Sequence, residues 1–331
     1  MPDKAVYMET HSTDPAYNLA FEEYVLAHRR DASYLLLWQN DNTVVIGQNQ
    51  NAEEEINRAY VEEHGIRVVR RTTGGGAVYH DLGNLNYSFI TDAGEKDSLA
   101  KERFTEPVVH ALCALGLQAE SSGRNDILVS GKKVSGTAQR LLHGRILHHG
   151  TLLFDADPEA VAGALRVDSA KFRSKSVKSV RSRIGNIREY LAADMTMTEF
   201  WNYLKKALTD GEYTEETLSD AELEEVTRLR DTKYASWEWT FGKSPKYDMR
   251  NKCYWDGGSL EVRAAVSSGR IAQIAFYGDF LSRCSLKELT DALSGCEYRR
   301  ESVAAVLKSF PIRDCFGGIS EEEVLETVFP A

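Results

Sequence analysis

The stretch Arg70-Arg71-Thr72-Thr73-Gly74-Gly75-Gly76-Ala77-Val78-Tyr79-His80-Asp81 gathers the groups that an anion needs. Three consecutive glycines let a backbone turn tightly and approach a ligand, with N–H groups free for anionic oxygens. Arg70 and Arg71 supply positive charge for a phosphate or carboxylate. The pattern is neither a P-loop, which needs Gly-Lys-Ser/Thr, nor a GxGxxG fingerprint. A glycine-rich hairpin with surface arginines would read the same way. A second block joins Gly123-Arg124-Asn125-Asp126 to Gly131-Lys132-Lys133-Val134-Ser135-Gly136-Thr137-Ala138. A lysine just ahead of a strand, among small residues, can reach an anionic transition state from a fixed position. Asp126 offers a hard oxygen to a divalent cation. The competing reading is an exposed turn with solvated lysines. A third block, His148-His149-Gly150-Thr151, falls inside an apolar strand. Adjacent strand residues face opposite ways, so only one of these histidines should reach a site.

The elements that must position these blocks follow from local pattern. Asp14-Pro15 reads as an N-cap and first helical residue, opening a helix through Asn18–Ala27. Tyr34–Trp38 and Thr43–Ile46 read as strands, Ala52–His64 as a helix closed by Gly65, and Ile66–Arg70 as a strand. Ala77–His80 and Asn84–Thr91 are strands around an Asp81–Gly83 turn. Phe104–Leu115 is apolar at helical spacing, and Cys113 is expected on its buried face. Asp126–Val129, Lys133–Ala138 and Ile146–Phe154 add further strands, with a turn at Ser130–Gly131. Helices are expected over Thr198–Leu208 and Asp220–Asp231. Gly242–Asp248 reads as a linker. Beyond it come strands Ser259–Ser267 and Arg270–Phe276, then helices near Leu286–Leu293, Glu301–Ser309 and Ser320–Val328. Strands and helices mix without strict βαβ alternation, which predicts an α+β fold with a mixed sheet.

Composition narrows the function classes. The 331 residues suggest two domains. Forty Lys+Arg against fifty Asp+Glu give a net charge of -10, which argues against a uniform nucleic-acid surface. Charge-free runs such as Leu82–Thr91 are far shorter than the roughly 20 residues that cross a bilayer. Charges at Asp3, Lys4, Glu9 and Asp14 argue against a signal peptide. The five cysteines are odd in number and form no CxxC pair, so neither a disulfide framework nor a zinc site is expected, and a reducing cytoplasm fits. Lys171–Arg183 stands apart as a basic, serine-rich run in an acidic chain, and reads either as a solvated loop or as a closing flap.

Taken together, the blocks resemble one family, lipoate–protein ligase A. The matching stretches are Arg70–Asp81 with Gly83-Asn84, Gly123–Asp126 with Lys132–Ala138, His148–Thr151, and Ser179–Arg183, in the family's order. Phe241–Tyr247 is similar to the family's junction with its accessory domain. The resemblance implies a mixed-sheet catalytic domain of the biotin/lipoate ligase type over residues 1–242. A smaller α+β accessory domain would span 243–331.

It also implies a two-step reaction. Lipoate would attack the α-phosphate of ATP to give lipoyl-AMP and pyrophosphate. A lysine on a lipoyl domain of a 2-oxoacid dehydrogenase E2 subunit, or on glycine-cleavage H protein, would then take the acyl group. By the family pattern Lys133 contacts both the lipoyl carboxyl and the α-phosphate. Arg71 and the backbone of Gly76, Ala77, Val78 and Tyr79 hold the nucleotide. Gly74 and Gly75 wall the slot for the lipoyl tail, His149 and Arg140 add contacts, and Asp126 is the candidate magnesium ligand. Octanoate could replace lipoate. No membrane or nucleic acid is implied. An octanoyltransferase of the same fold would need a cysteine after the Lys133 block, and none lies between Cys113 and Cys253. A biotin ligase would carry a different glycine–arginine loop. A non-catalytic lipoyl or acyl binder would be expected to lose Arg71, Lys133 or Asp126, and all three are present.

Overall fold

The computed structural model describes residues 5–94, 102–122, 125–165, 183–241, 249–267 and 269–329. Gly123-Arg124, the basic run up to residue 182 and the 242–248 junction lie outside the described residues. The main element is an eight-stranded mixed sheet. Its strands are β1 (Ala5–Glu9), β2 (Tyr34–Trp38), β6 (Asn84–Asp92), β7 (Ala119–Ser122), β8 (Asp126–Val129), β9 (Lys132–Leu142), β10 (Arg145–Leu153) and β11 (Tyr213–Glu215). They are ordered β11-β1-β2-β6-β10-β9-β8-β7. β1 runs parallel to β2 and β11, and the other pairs are antiparallel.

The apolar run of β2 follows from burial on both faces. Leu35 and Leu37 join Tyr7, Leu85 and Tyr87 in a core beneath the helices Glu102–Ala114 and Met197–Ala207. Tyr34, Leu36 and Trp38 point the other way, into a core with the helix Pro15–His28. Alternation of side chains along each strand fills the two layers. The Asp14 carboxylate caps that helix by accepting the Ala16 N–H at 3.2 Å.

A second sheet, β4 (Arg67–Arg70), β3 (Thr43–Ile46) and β5 (Val78–His80), is ordered β4-β3-β5. It has its own small core with Ile56, Val61 and Ala160. The helix expected over Ala52–His64 divides into Ala52–Glu55 and Arg58–Glu63. The break has a tertiary cause: Ile56 bridges to Leu165, and the Asn57 N–H donates to the Ala164 carbonyl at 2.9 Å.

The C-terminal residues form a meander of β12 (Met249–Trp255), β13 (Gly258–Ser267) and β14 (Arg270–Gly278). Helices near the expected positions cover it, with a core drawn wholly from residues beyond 248. Two cysteine expectations need correction. Cys284 and Cys315 form a disulfide with Cα atoms 5.2 Å apart. They are 31 residues apart, so no local spacing pattern announces the pair. Cys113 is exposed rather than buried, because Ala111 and Leu112 carry the inward face of its helix.

Candidate active site

The two sheets of the larger region line a cleft of about 110 Å³. β10 contributes His149, Gly150 and Thr151, and β9 contributes Lys133, Gly136, Thr137 and Ala138. Across from them stand Val45 of β3, Val78 and His80 of β5, and the loop residues Arg71, Gly75, Gly76 and Ala77. Leu19 and Trp38 make an apolar end.

The glycine-rich loop is locked from within. Arg71 is buried, and its guanidinium donates to the carbonyls of Val45 (3.1 Å), Gly74 (2.6 Å) and Gly76 (2.8 Å) and to Thr73 Oγ1 (3.0 Å). Burial pushes its pKa down to about 10, so it stays cationic at neutral pH. Arg71 therefore shapes the loop, with its charge under the cleft. Arg70, expected as a ligand charge, instead ties the loop to Gly47, Gln48, Gln50 and Thr240 carbonyls. Gly75 has φ +90°, where a side chain is strained.

His149 is held by a buried chain. Its Nε2 lies 2.8 Å from Thr73 Oγ1 and its Nδ1 lies 2.9 Å from Glu22 Oε1. Thr73 Oγ1 also accepts from Arg71, and the Nδ1 edge of the ring faces the Glu22 carboxylate. Ser88 donates to Glu22 Oε1 at 2.6 Å, and Trp38 Nε1 donates to Ser88 at 2.9 Å. Glu22 lies on the Pro15–His28 helix, 127 residues from His149, so no local spacing announces the chain. His148 points to the opposite face, stacked on Phe104 at 5.0 Å. Burial pushes its pKa down to about 3.

Lys133 is the cation of the other wall. Its Nζ sits 2.7 Å from Asp126 Oδ1, and both side chains are about one-third exposed. A Cβ on Gly136 would stand 3.3 Å from Nζ, so glycine there leaves room for the ammonium. The Lys133 N–H donates to the Arg183 carbonyl at 2.7 Å, and Gly185 N–H donates to the Lys133 carbonyl at 3.0 Å. The chain leaving the basic run thus braces the lysine.

Not every expected residue reaches the cleft. Gly74 packs on the C-terminal residues, where a Cβ would stand 2.6 Å from the Phe280 carbonyl oxygen. Arg140 pairs with Glu23 at 3.1 Å, off the cleft wall. The Tyr79 side chain turns its hydroxyl to Asn42 at 3.0 Å, away from the cleft, while the expectation for this residue concerns its backbone. Asp126 touches the site through Lys133. Two residues without an assigned role do line it with unpartnered buried atoms: His80 Nε2 and Asn86 Nδ2. The His80 pKa is pushed down to about 3 by burial, so this ring is neutral. Among the described residues no cluster of three or more His, Cys, Asp or Glu side chains could cage a metal. Asp126, paired with Lys133, offers a single carboxylate to a divalent cation at this wall.

The model for the Lipoyl protein ligase A/B catalytic domain matches residues 14–209, and that for the Bacterial lipoate protein ligase C-terminus matches 244–328. The chain belongs to the lipoate–protein ligases. It is 43% identical to the lipoate-protein ligase LplJ of Bacillus subtilis (strain 168) over 96% of this chain and 97% of that one. P. falciparum LipL1, solved in complex with lipoate, superposes with a TM-score of 0.79 at 25% identity. That match covers 92% of this chain and 94% of that chain. A lipoate-protein ligase A bound with ATP superposes at TM-score 0.64 and 30% identity, over 73% of this chain and 99% of that one. As a lipoate–protein ligase, the protein is an enzyme of the mixed-sheet α+β class with a smaller C-terminal unit. Among the described residues no helix is long and apolar enough to cross a membrane.

Proposed function

We propose that this ligase activates lipoate with ATP to lipoyl-AMP and passes the acyl group to a lysine of an acceptor protein. The observation that carries the reading is Lys133, a partly exposed cation on a cleft whose far end is apolar. In the first step a lipoate carboxylate oxygen bonds to the α-phosphorus, and the bond to pyrophosphate breaks. Lys133 leaves Asp126 to bridge the carboxylate and the α-phosphate, offsetting charge as both anions meet. The neutral His80 ring and the Asn86 amide are placed to hydrogen-bond the polar part of the adenylate. Leu19, Trp38 and Val45 give the dithiolane tail an apolar wall, which His149 closes. Asp126 would hold a magnesium ion brought with ATP, which would supply screening of phosphate charge when bound.

In the second step the acceptor amine attacks the acyl carbon, a C–N bond forms, and AMP leaves. The acceptor class is lipoyl domains of E2 subunits or H protein. Octanoate fits the same chemistry, since the tail does not react. Use of ATP and such acceptors fits a cytoplasmic reaction. The reading also divides the chain into a catalytic part, 1–242, and an accessory part, 243–331. A cysteine acyl-transferase is the weaker alternative, because among the described residues no cysteine lines the cleft.

The test is pyrophosphate release from ATP by the full chain. It should require lipoate and yield lipoyl-AMP when acceptor is withheld. Release at the same rate without lipoate or octanoate would remove the reading.

A further inference from the structure

A second cleft opens directly from the first. Asn125, Thr137 and Ala138 line both. Its other wall belongs to the C-terminal residues: Leu281, Arg283, Arg313, Asp314, Gly317 and Gly318. The shared wall is stiff. The Thr137 N–H donates to the Asn125 carbonyl at 2.8 Å, and Asn125 Nδ2 donates back to the Thr137 carbonyl at 3.2 Å. It is also next to the reacting cation, since Lys133 Nζ lies over Gly136, the neighbour of Thr137.

The two arginines are charges without a structural task to match. Among the described residues the Arg283 side chain makes one loose ion pair, with Asp314 at 3.8 Å, longer than a hydrogen bond. Arg313 donates weakly to the Gly318 carbonyl at 3.3 Å. Most of their guanidinium N–H groups remain available, and even with Asp314 the lining carries net positive charge. The Cys284–Cys315 disulfide joins the segment of Arg283 to the short helix of Arg313, and the Arg283 N–H donates to the Asp314 carbonyl at 3.0 Å. The pair is therefore built into one cross-linked edge.

That edge is docked on the glycine-rich loop. The Gly75 N–H donates to the Phe280 carbonyl at 3.3 Å, and the Gly278 N–H donates to the Asn49 carbonyl at 2.8 Å. A nucleoside triphosphate with its α-phosphate at Lys133 must send its two outer phosphates somewhere. The open direction past Thr137 leads to the two guanidinium groups, a chemistry suited to phosphate oxygens.

From this juxtaposition we infer that Arg283 and Arg313 form a pyrophosphate-binding subsite, supplied by the C-terminal residues to the activation step. The inference rests on the reading under Proposed function and adds residues to it. The subsite holds the β- and γ-phosphates of the triphosphate and stabilises pyrophosphate as the Pα–O bond breaks. The adenylate has no such phosphates, so the transfer step does not use it.

The test uses the full chain with Arg283→Gln, Arg313→Gln and the double variant. Both side chains are exposed, so melting should not move, and Arg313→Lys serves as a partial rescue. The double variant should raise the KM for ATP in lipoate-dependent pyrophosphate release by about tenfold or more, the scale of losing charged hydrogen bonds. Product inhibition by inorganic pyrophosphate should weaken in parallel, while the KM for lipoate stays put. Transfer from synthetic lipoyl-AMP should proceed at the wild-type rate. An unchanged ATP KM and pyrophosphate inhibition would overturn the subsite. So would a defect confined to transfer, which would assign the arginines to the acceptor protein. A wild-type protein with no lipoate-dependent release would instead defeat the activation reading itself.

Discussion

The glycine-rich loop and the Lys133 wall face one cleft and are built in opposite ways. In the loop every strong group is committed inside the protein: Arg71 to three carbonyls and Thr73, Gly75 to Phe280. On the wall the ammonium of Lys133 is partly exposed and held by a single carboxylate. An arginine whose donors are committed fixes a shape; a lysine with one exchangeable partner can follow a charge that moves. The difference assigns geometry to the loop and chemistry to the wall, although the sequence shows both simply as basic residues beside glycines.

The sharpest way to break this contrast is Arg71→Ala. It leaves the carbonyls of Val45, Gly74 and Gly76 buried without their donor. Leaving a buried acceptor without its donor costs about 1–3 kcal/mol per group. Thermal melting should fall by many degrees, and a stable, active variant would show that the loop does not depend on Arg71.

Gly74→Val comes next. Its Cβ would stand 2.6 Å from the Phe280 carbonyl oxygen and 2.7 Å from the Ser282 nitrogen, both backbone. Overpacking of this kind costs about 1–3 kcal/mol and should lift the C-terminal edge from the loop. Faster proteolysis between the two regions, with slower activation, is expected. Unchanged proteolysis would mean that the edge does not rest there.

Gly76→Ala separates shape from ligand approach. A Cβ there meets nothing within 4 Å, and its φ is ordinary. Melting should shift by less than about 0.5 kcal/mol-equivalent. If the nucleotide lies against this backbone, ATP binding should still weaken several-fold by calorimetry. Unaltered binding would move the nucleotide off Gly76.

A further effect concerns pH. His80 and His148 have folded pKa values near 3, against an ordinary value near 6.5. Between those limits the unfolded chain binds protons that the folded chain refuses. Stability is thus intact above about pH 6.5 and falls as the pH is lowered, by up to roughly 1.4 kcal/mol per unit per ring. His148→Phe, which keeps the stack on Phe104, should flatten the melting-temperature curve between pH 7.5 and 5. A curve as steep as wild type would contradict the buried neutral ring.

Much of the frame was legible. Tyr34–Trp38 and Thr43–Ile46 match their strands residue for residue, because buried strands write themselves as unbroken apolar runs. Asp14-Pro15 announced its helix through a cap that needs only local geometry. β1 was overlooked, since the charges around Ala5–Glu9 hid a strand whose partners, β2 and β11, are distant in sequence. The Ala52–His64 break and the Cys284–Cys315 pair depend on long-range contacts and leave no local trace.

In the site, Lys133 and the glycine loop stood out by type and spacing. Arg140 and Gly74 did not join them at the cleft, and Glu22, His80 and Asn86 became visible only when the sheets were assembled. Paired positions on separate strands carry no spacing signal.

The central claim is that Lys133 does chemistry on a scaffold that does not need it. Lys133→Ala should be measured for lipoyl-AMP formation and for melting on the same preparation. Activation should fall by about a hundredfold or more, the scale of removing a preorganised charge from a transition state, with melting within a degree or two of wild type. Near-normal activation would contradict the claim, as would a loss of folding that matches the loss of activity.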